Sequence, residues 1–107
     1  MVENKEKILS DCRPDWVFWC CNGVLIRNIY ELANTIKAMN ADVFKYHVNE
    51  QKNDFANWVE EVLDDKKLGK KMRTTIDKDL LVAMVKKRIK EVERLKPGVA
   101  QKVQTIA

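Results

Sequence analysis

The chain has 107 residues, of which 46% are hydrophobic and 34% charged, and its formal net charge at pH 7 is +4. This length suits one domain with a single core, and this composition is typical of a compact helical globule and not of a disordered chain. No apolar run approaches the roughly 20 residues that span a bilayer, and the charged amino end does not resemble a signal peptide. We therefore expect a cytoplasmic domain that does not contact membranes.

The clearest strand pattern is WVFWCCNGVLIR, residues 16–27. Aromatic and β-branched residues flank Asn22 and Gly23, a pair that suits a two-residue type I′ turn. One face of such a hairpin carries no charge, and we predict that it packs on the helices: Val17, Trp19, Cys21, Val24 and Ile26. The other face then carries Trp16, Phe18, Cys20, Leu25 and Arg27. The aromatic residues either complete the core or form a face on which a ligand stacks.

Three helices are predicted after the hairpin. Asn28 and Glu31 have capping-box spacing, which predicts a helix over residues 29–39. Asn40 ends this helix or caps a short one over residues 41–48, and residues 49–52 form a polar connection. Asn53 or Asp54 caps the third helix. The apolar stripe of the first helix is Ile29, Leu32, Ala33, Ile36 and Met39. That of the third helix is Phe55, Trp58, Val59, Val62 and Leu63.

Two further helices are predicted in the carboxyl-terminal part. Asp64 and Asp65 are unfavourable at the end of the preceding helix, because the carboxyl end of a helix carries partial negative charge. They suit instead the start of a short helix over residues 66–73. Thr74 and Asp77 resemble a weaker capping pair, so the last helix is predicted over residues 75–95. Its expected inward residues are Ile76, Leu80, Leu81, Met84, Val85, Ile89 and Val92. Pro97 and Gly98 end it.

Together these elements predict a mainly α fold, a single compact domain of about five helices with a short amino-terminal β-hairpin. We divide residues 1–107 into an amino-terminal segment, a hairpin, a helical core and a loose tail. Their predicted ranges are residues 1–15, 16–27, 28–95 and 96–107. Within the first segment, Ile8 and Leu9 turn inward from a short helix that Pro14 stops.

His47 is the only histidine, so any acid–base hypothesis near neutral pH begins there. Nearby polar residues could form a network with it: Asn49, Asn53, Asp54 and Asn57. A general base also needs a pocket and partners, and no nucleophile motif or glycine-rich phosphate loop is visible. The alternative is a structural His47 that donates to a backbone carbonyl or to a carboxylate such as Asp54. We predict no catalytic residue.

The charge is unevenly divided along the chain. Residues 1–65 hold seven Lys and Arg against twelve Asp and Glu, whereas residues 66–107 hold thirteen against four. The second part predicts an electropositive surface on two helices, formed by Lys66, Lys67, Lys70, Lys71, Lys86, Lys87, Lys90 and Arg94. Such surfaces bind phosphate backbones through counterion release. The alternative is that these residues form an ordinary solvated face. Glu91 and Glu93 interrupt the run of basic residues on the last helix.

Three cysteines, Cys12, Cys20 and Cys21, occur without CxxC spacing. Adjacent strand residues point to opposite faces, so Cys20 and Cys21 are unsuited to pair or to chelate together. Three thiols and His47 would supply four zinc ligands, but their spacing matches no familiar zinc module. We predict structural thiols, no metal site and no cofactor.

Five short motifs stand out in residues 23–72: a Gly-hydrophobic-Ile opening, an E-L helix, F-x-Y-H-V-N, N-D-F-A-N-W and V-L-x-D-x-x-L. They lie at residues 23–26, 31–32, 44–49, 53–58 and 62–68. In these motifs the chain resembles a family of small prokaryotic proteins, common in archaea, that is catalogued only as a domain of unknown function. Gly69 stands where the family commonly has Ala, and the last helix lies outside the pattern. The resemblance implies no established activity and no catalytic residue.

We expect a non-enzymatic binding or regulatory module whose basic carboxyl-terminal helix contacts an acidic partner, namely nucleic acid or a ribonucleoprotein. One alternative is a protein–protein adaptor or homodimer that uses the aromatic hairpin, because three Trp residues in so small a chain exceed what one core hides. A second alternative is an enzyme centred on His47. It predicts a concave pocket lined by His47, Asn53 and Asp54.

Overall fold

Six α-helices and one antiparallel hairpin make up the described part of this protein, which in the computed structural model is residues 4–95. The mainly α fold with an amino-terminal hairpin is confirmed. The helices are α1 (Lys5–Leu9), α2 (Ile29–Ala38), α3 (Ala41–His47), α4 (Asp54–Glu61), α5 (Lys66–Met72) and α6 (Lys78–Glu93). A 3-10 turn (Pro14–Trp16) precedes the hairpin strands β1 (Phe18–Trp19) and β2 (Leu25–Ile26).

Every one of these six helices begins at an Asn or Asp whose side chain accepts a hydrogen bond from the backbone N–H three residues later. The caps are Asn4, Asn28, Asn40, Asn53, Asp65 and Asp77. Each good cap stabilises its helix by about 1 kcal/mol, because it satisfies an amide that has no partner inside the helix. The predicted caps at Asn28, Asn40, Asn53 and Asp65 are confirmed. Glu31 accepts from the amide of Arg27 (2.8 Å), one residue before the position that a capping box would give.

The predicted start of the last helix is wrong. Asp77 caps α6, so the helix begins at Lys78, and the predicted opening residue Thr74 instead donates its hydroxyl to the carbonyl of Lys71 (2.6 Å). Ile76 and Leu80 are consequently exposed, at 56% and 49%. Val82 and Arg88 are buried on the inward face instead. The predicted stop at Pro97 and Gly98 and the predicted tail lie outside the described residues.

The predicted hairpin register is also wrong, by one residue. Phe18 pairs with Ile26 and Trp19 with Leu25, and the amide of Cys20 donates to the carbonyl of Val24 (2.9 Å). The loop therefore has three residues, Cys21 to Gly23, with Gly23 at φ +89°. A type I′ turn requires positive φ at both central residues, and Asn22 does not adopt it: within residues 4–95, Asp64 is the one non-glycine residue that does.

A slip of one residue exchanges the two faces of a strand. Phe18 and Cys20 therefore turn toward the core with Ile26, while Trp19 and Cys21 are exposed, contrary to the predicted packing face. The Phe18 ring lies 4.9 Å from that of Phe55 and 6.2 Å from that of Trp58, measured between centroids. Aromatic burial against α4 thus favours the observed register.

The core lies between α6 and the helices that surround it. α6 packs against α1, α2 and α5, while α4 packs against α5, and the hairpin contacts α2 through β2. The stripes predicted for α2 and α4 face inward as expected, with Val62 only partly buried. The largest fully buried side chains are Phe55, Ile8, Ile26, Ile29, Leu32, Ile36, Leu63, Leu68, Met72, Leu81, Val48 and Val59.

Candidate functional site

His47 is a buried connection between three segments. Its side chain is at the end of α3 and is 4% exposed. Nδ1 lies 3.0 Å from Oδ2 of Asp54 at the start of α4, and Nε2 accepts a hydrogen bond from the amide of Cys21 in the hairpin loop (3.0 Å). Because Nε2 accepts, the proton of the neutral ring is on Nδ1, which donates to Asp54. The predicted structural contact with Asp54 is confirmed, and the bond to Cys21 is an addition.

Aromatic rings enclose the imidazole. The centroids of Tyr46, Phe18 and Phe55 lie 5.0, 5.3 and 5.2 Å from that of His47. Lys52 donates to the same oxygen of Asp54 (3.0 Å) and lies 4.5 Å from the Tyr46 ring centroid. Both ring nitrogens of His47 have partners in this packing, so neither is presented to a substrate.

The other predicted members of the polar network lie in separate hydrogen-bond groups. Within residues 4–95, no hydrogen bond joins the side chain of His47 to that of Asn49, Asn53 or Asn57. Asn49 closes its own loop, donating to the carbonyl of Lys45 and accepting from the amide of Gln51.

Asn53 and Asn57 bind α5 instead of His47. Asn53 is buried, caps α4 and donates to the carbonyl of Met72 (3.1 Å). Asn57 accepts from Nη2 of Arg73 (2.6 Å), and Arg73 also pairs with Glu60. Both asparagines therefore fasten α4 to the end of α5, and this accounts for an Asn in the middle of α4.

The predicted basic residues form an exposed surface on α5, α6 and the α6 carboxyl cap, which we call the lysine surface. Its members are Lys66, Lys67, Lys70, Lys71, Lys86, Lys87, Lys90 and Arg94, all exposed. Within residues 4–95, none of these eight side chains makes a hydrogen bond or an ion pair.

Several other cations have internal roles. Lys5 donates to the carbonyls of Glu93 and Leu95 at the end of α6, and Lys78 donates to the carbonyl of Met39 at the end of α2. Cations favour these positions because the carboxyl end of a helix carries partial negative charge. The lysine surface differs in that its side chains donate to no carbonyl within residues 4–95.

A cleft of about 220 Å³ divides the lysine surface between α5 and α6. Lys67 and Lys71 border it from α5, and Lys87 borders it from α6. Its apolar lining comes from Leu68 and Met84. Lys86 and Lys90 lie on the opposite side of α6, beside a groove of about 290 Å³ that α6 shares with Tyr30 and Asn34 of α2.

A buried ion pair joins the two helices that form the cleft. Arg88 of α6 and Asp65 at the start of α5 are 4% and 2% exposed. Their contact is bidentate, with Nε to Oδ2 at 2.9 Å and Nη2 to Oδ1 at 3.1 Å. Oδ1 also caps α5 by accepting from the amide of Leu68 (3.1 Å). Sequence reasoning identified Asp65 as a cap and missed its partner, since nothing local connects positions 23 residues apart.

Glu91 is the one carboxylate among the residues that line the cleft. Its Oε1 accepts a hydrogen bond of 3.4 Å from Nη1 of Arg88. Burial raises the pKa of Glu91, but the hydrogen bond from Arg88 and the charges of Lys71 and Lys67 outweigh it, so the pKa lies below its ordinary value. Glu91 is therefore ionised at neutral pH. The sequence presented it only as an interruption of the basic residues.

The outer face of the hairpin exposes aromatic surface. Trp19 is 73% exposed, the largest exposed fraction among the large hydrophobic residues of the described chain. Its cross-strand partner Leu25 is partly buried on the same face. Trp16 is also exposed, although its backbone carbonyl accepts a hydrogen bond from the indole of Trp58 (2.8 Å). The chain thus hides one of its three tryptophans.

The three thiols are free: Cys12 is partly buried, Cys20 buried and Cys21 exposed. Burial, with a smaller contribution from Cys21, raises the pKa of Cys20 to about 11. Among residues 4–95, no group of three or more His, Cys, Asp or Glu side chains is placed to hold a metal ion. No helix in this range has the length and apolar character needed to cross a membrane.

Comparisons with family models, with curated proteins and with solved structures find no match for this chain. The resemblance of residues 23–72 to a family of unknown function therefore stays a prediction.

Proposed function

We propose that this protein is a cytoplasmic binding module that contacts nucleic acid, free or within a ribonucleoprotein, through the lysine surface. The observation that supports it is the set of eight exposed cations on neighbouring helices without a hydrogen bond or an ion pair inside residues 4–95. A phosphate backbone gains affinity at such a surface by releasing its counterions. Side chains that make no hydrogen bond or ion pair within residues 4–95 are available to phosphates.

The spatial arrangement supports the proposal further. The Asp65–Arg88 pair fixes α5 against α6, so Lys67 and Lys71 of α5 are held beside the same cleft as Lys87 of α6. Arg88 does not add to the exposed positive charge, because it is buried and paired with Asp65. Glu91 offsets the charge of one lysine in the cleft. The remaining cations still leave the surface strongly positive, and they suit a linear polyanion that crosses both helices.

The test is nucleic-acid binding measured by fluorescence anisotropy over a salt series. The triple variant Lys67→Gln, Lys71→Gln, Lys87→Gln should bind more weakly. In a plot of the logarithm of the binding constant against the logarithm of the salt concentration, its slope for a single strand should be smaller in magnitude by about 2. The matched control removes three exposed lysines from other surfaces: Lys7→Gln, Lys37→Gln, Lys45→Gln. It should retain the wild-type salt slope.

Two results would contradict the proposal. The wild-type protein could fail to bind any nucleic acid even at low salt. Alternatively, the control variant could lose as much affinity as the triple variant, in which case net charge and not the lysine surface would explain the binding.

A second candidate function is a homodimer or protein adaptor that uses the outer face of the hairpin. The observation that favours it is the exposure of Trp19, since interfaces are enriched in Trp at their centres. Light scattering over a concentration series tests the dimer: we expect association in the wild type and a monomer for Trp19→Ser. A wild-type protein that stays monomeric at high concentration would remove the dimer.

His47 gives little support to the third candidate, an enzyme. A general base needs a nitrogen within reach of the proton that it removes. Nε2 of His47 is occupied by the amide of Cys21, and Nδ1 faces Asp54. These bonds favour a structural role for the ring.

A further inference from the structure

The cleft between α5 and α6 combines three kinds of group that a purely electrostatic surface does not need. Lys67, Lys71 and Lys87 supply positive charge at its rim, and Met84 supplies an apolar wall. Glu91 supplies a hydrogen-bond acceptor in the same cleft. Glu91 already accepts one hydrogen bond, from Nη1 of Arg88 (3.4 Å), and a ligand group that donates to its remaining lone pairs would offset the repulsion between this carboxylate and phosphate.

Glu91 is suited to accept such a donor. The neighbouring cations keep it ionised, and an ionised carboxylate has about four lone-pair positions. A hydrogen bond to an ionised acceptor is roughly twice as strong as one between neutral groups. The amino group of a nucleobase is a donor of the required kind, and Glu and Asp accept from N4 of cytosine in protein–DNA complexes.

The size of the cleft is compatible with one base. A cavity of about 150 Å³ holds benzene, and this cleft has about 220 Å³. A six-membered pyrimidine ring therefore has room against Met84. A base can enter only when it is unstacked, which a single strand allows and a duplex resists.

We infer that the α5–α6 cleft binds one unstacked, amino-bearing base of a single-stranded nucleic acid, with the amino group donating to Glu91. The flanking phosphates pair with Lys67, Lys71 and Lys87. This inference rests on the proposed function and adds a preference for single strands and for one class of base. Glu91 then determines specificity, while the lysines supply affinity.

The experiment compares oligocytidine and oligouridine RNA of about twelve nucleotides, a length within the range of single-strand site sizes. The two bases differ at position 4, where cytosine has an amino group and uracil a carbonyl. Anisotropy at slightly alkaline pH keeps cytosine neutral. We expect the wild-type protein to bind oligocytidine about fivefold more tightly, the low end of the discrimination that a good base contact provides.

Two variants separate base recognition from charge. Glu91→Gln should bind oligouridine more tightly than the wild type, because a negative charge is removed from the surface, and should lose most of the preference for oligocytidine. Glu93→Gln removes a charge from the same helix but from outside the cleft, and should keep the preference. Met84→Trp fills the cleft and should also abolish the preference while binding to phosphate persists.

The inference is overturned if wild-type protein binds both RNAs equally, if the preference survives in Glu91→Gln, or if an RNA duplex of equal charge binds as tightly as oligocytidine. In each of these cases binding that depends on the lysine surface can still be present, and the proposed function then stands alone. Absence of binding to every probe at low salt would remove both.

Discussion

The Asp65–Arg88 pair gives the sharpest prediction about stability. Asp65→Ala removes two things at once, namely the carboxylate that pairs with Arg88 and the cap of α5. Arg88→Met removes the pair, together with the 3.4 Å hydrogen bond to Glu91, and leaves the cap in place. The two variants should therefore differ, even though each breaks the same ion pair.

The expected magnitudes follow from the burial of both side chains. Removing one partner of a buried pair costs about 3–5 kcal/mol, because the other charge is left without compensation. Loss of the cap adds about 1 kcal/mol to Asp65→Ala. This is a large part of the roughly 5–15 kcal/mol by which domains are stable, so Asp65→Ala is expected to be close to unfolding. The free energy of unfolding of Arg88→Met should be about 1 kcal/mol higher than that of Asp65→Ala, because its α5 cap is intact.

The assay is chemical denaturation followed by circular dichroism. Asp65→Ser, Arg88→Met provides the decisive comparison, because Ser retains a capping oxygen and no charge remains buried. Its free energy of unfolding should lie within about 1–2 kcal/mol of the wild type. Asp65→Ser alone completes the comparison: if the double variant loses as much stability as Asp65→Ser and Arg88→Met added together, the charges are not coupled and the reasoning is refuted.

Two smaller predictions concern Cys20 and Gly69. A thiol reagent at neutral pH should modify Cys21 quickly and Cys20 slowly, because Cys20 is buried and its raised pKa leaves little thiolate; mass spectrometry checks this, and equal labelling of the two would contradict it. Gly69→Ala should destabilise the wild type, since the new Cβ would overlap the side chain of Glu60, yet should stabilise a Glu60→Ala protein by about 1 kcal/mol through helix propensity. Chemical denaturation measures the change in unfolding free energy that Gly69→Ala causes in the wild type and in the Glu60→Ala protein, and a change of the same sign in both would rule the explanation out.

The helix starts were predictable because capping is local. Asn28, Asn40, Asn53 and Asp65 each accept from an amide three residues away, so a short stretch of sequence contains both partners. Asp77 follows the same rule. The prediction there failed because Thr74 offered a competing cap with similar spacing, and only the packing of α6 distinguishes the two.

The hairpin register could not be obtained in the same way. Asn22 and Gly23 are compatible with both a two-residue and a three-residue loop. The choice depends on whether Phe18 or Trp19 reaches the ring of Phe55, a contact with a distant helix. The same limit applies to the candidate site: exposure of the lysines was predictable from helical spacing, but the placement of Glu91 in one cleft with Lys67 and Lys71 required the α5–α6 packing.

The contacts of Lys5 join the two ends of the described chain. Its ammonium group binds carbonyls at residues 93 and 95, and α6 packs against α1, α2 and α5. α1 and α2 therefore lack their main packing partner until α6 is in place. This part of the core should therefore form in one cooperative step, in which α6 joins α1 and α2.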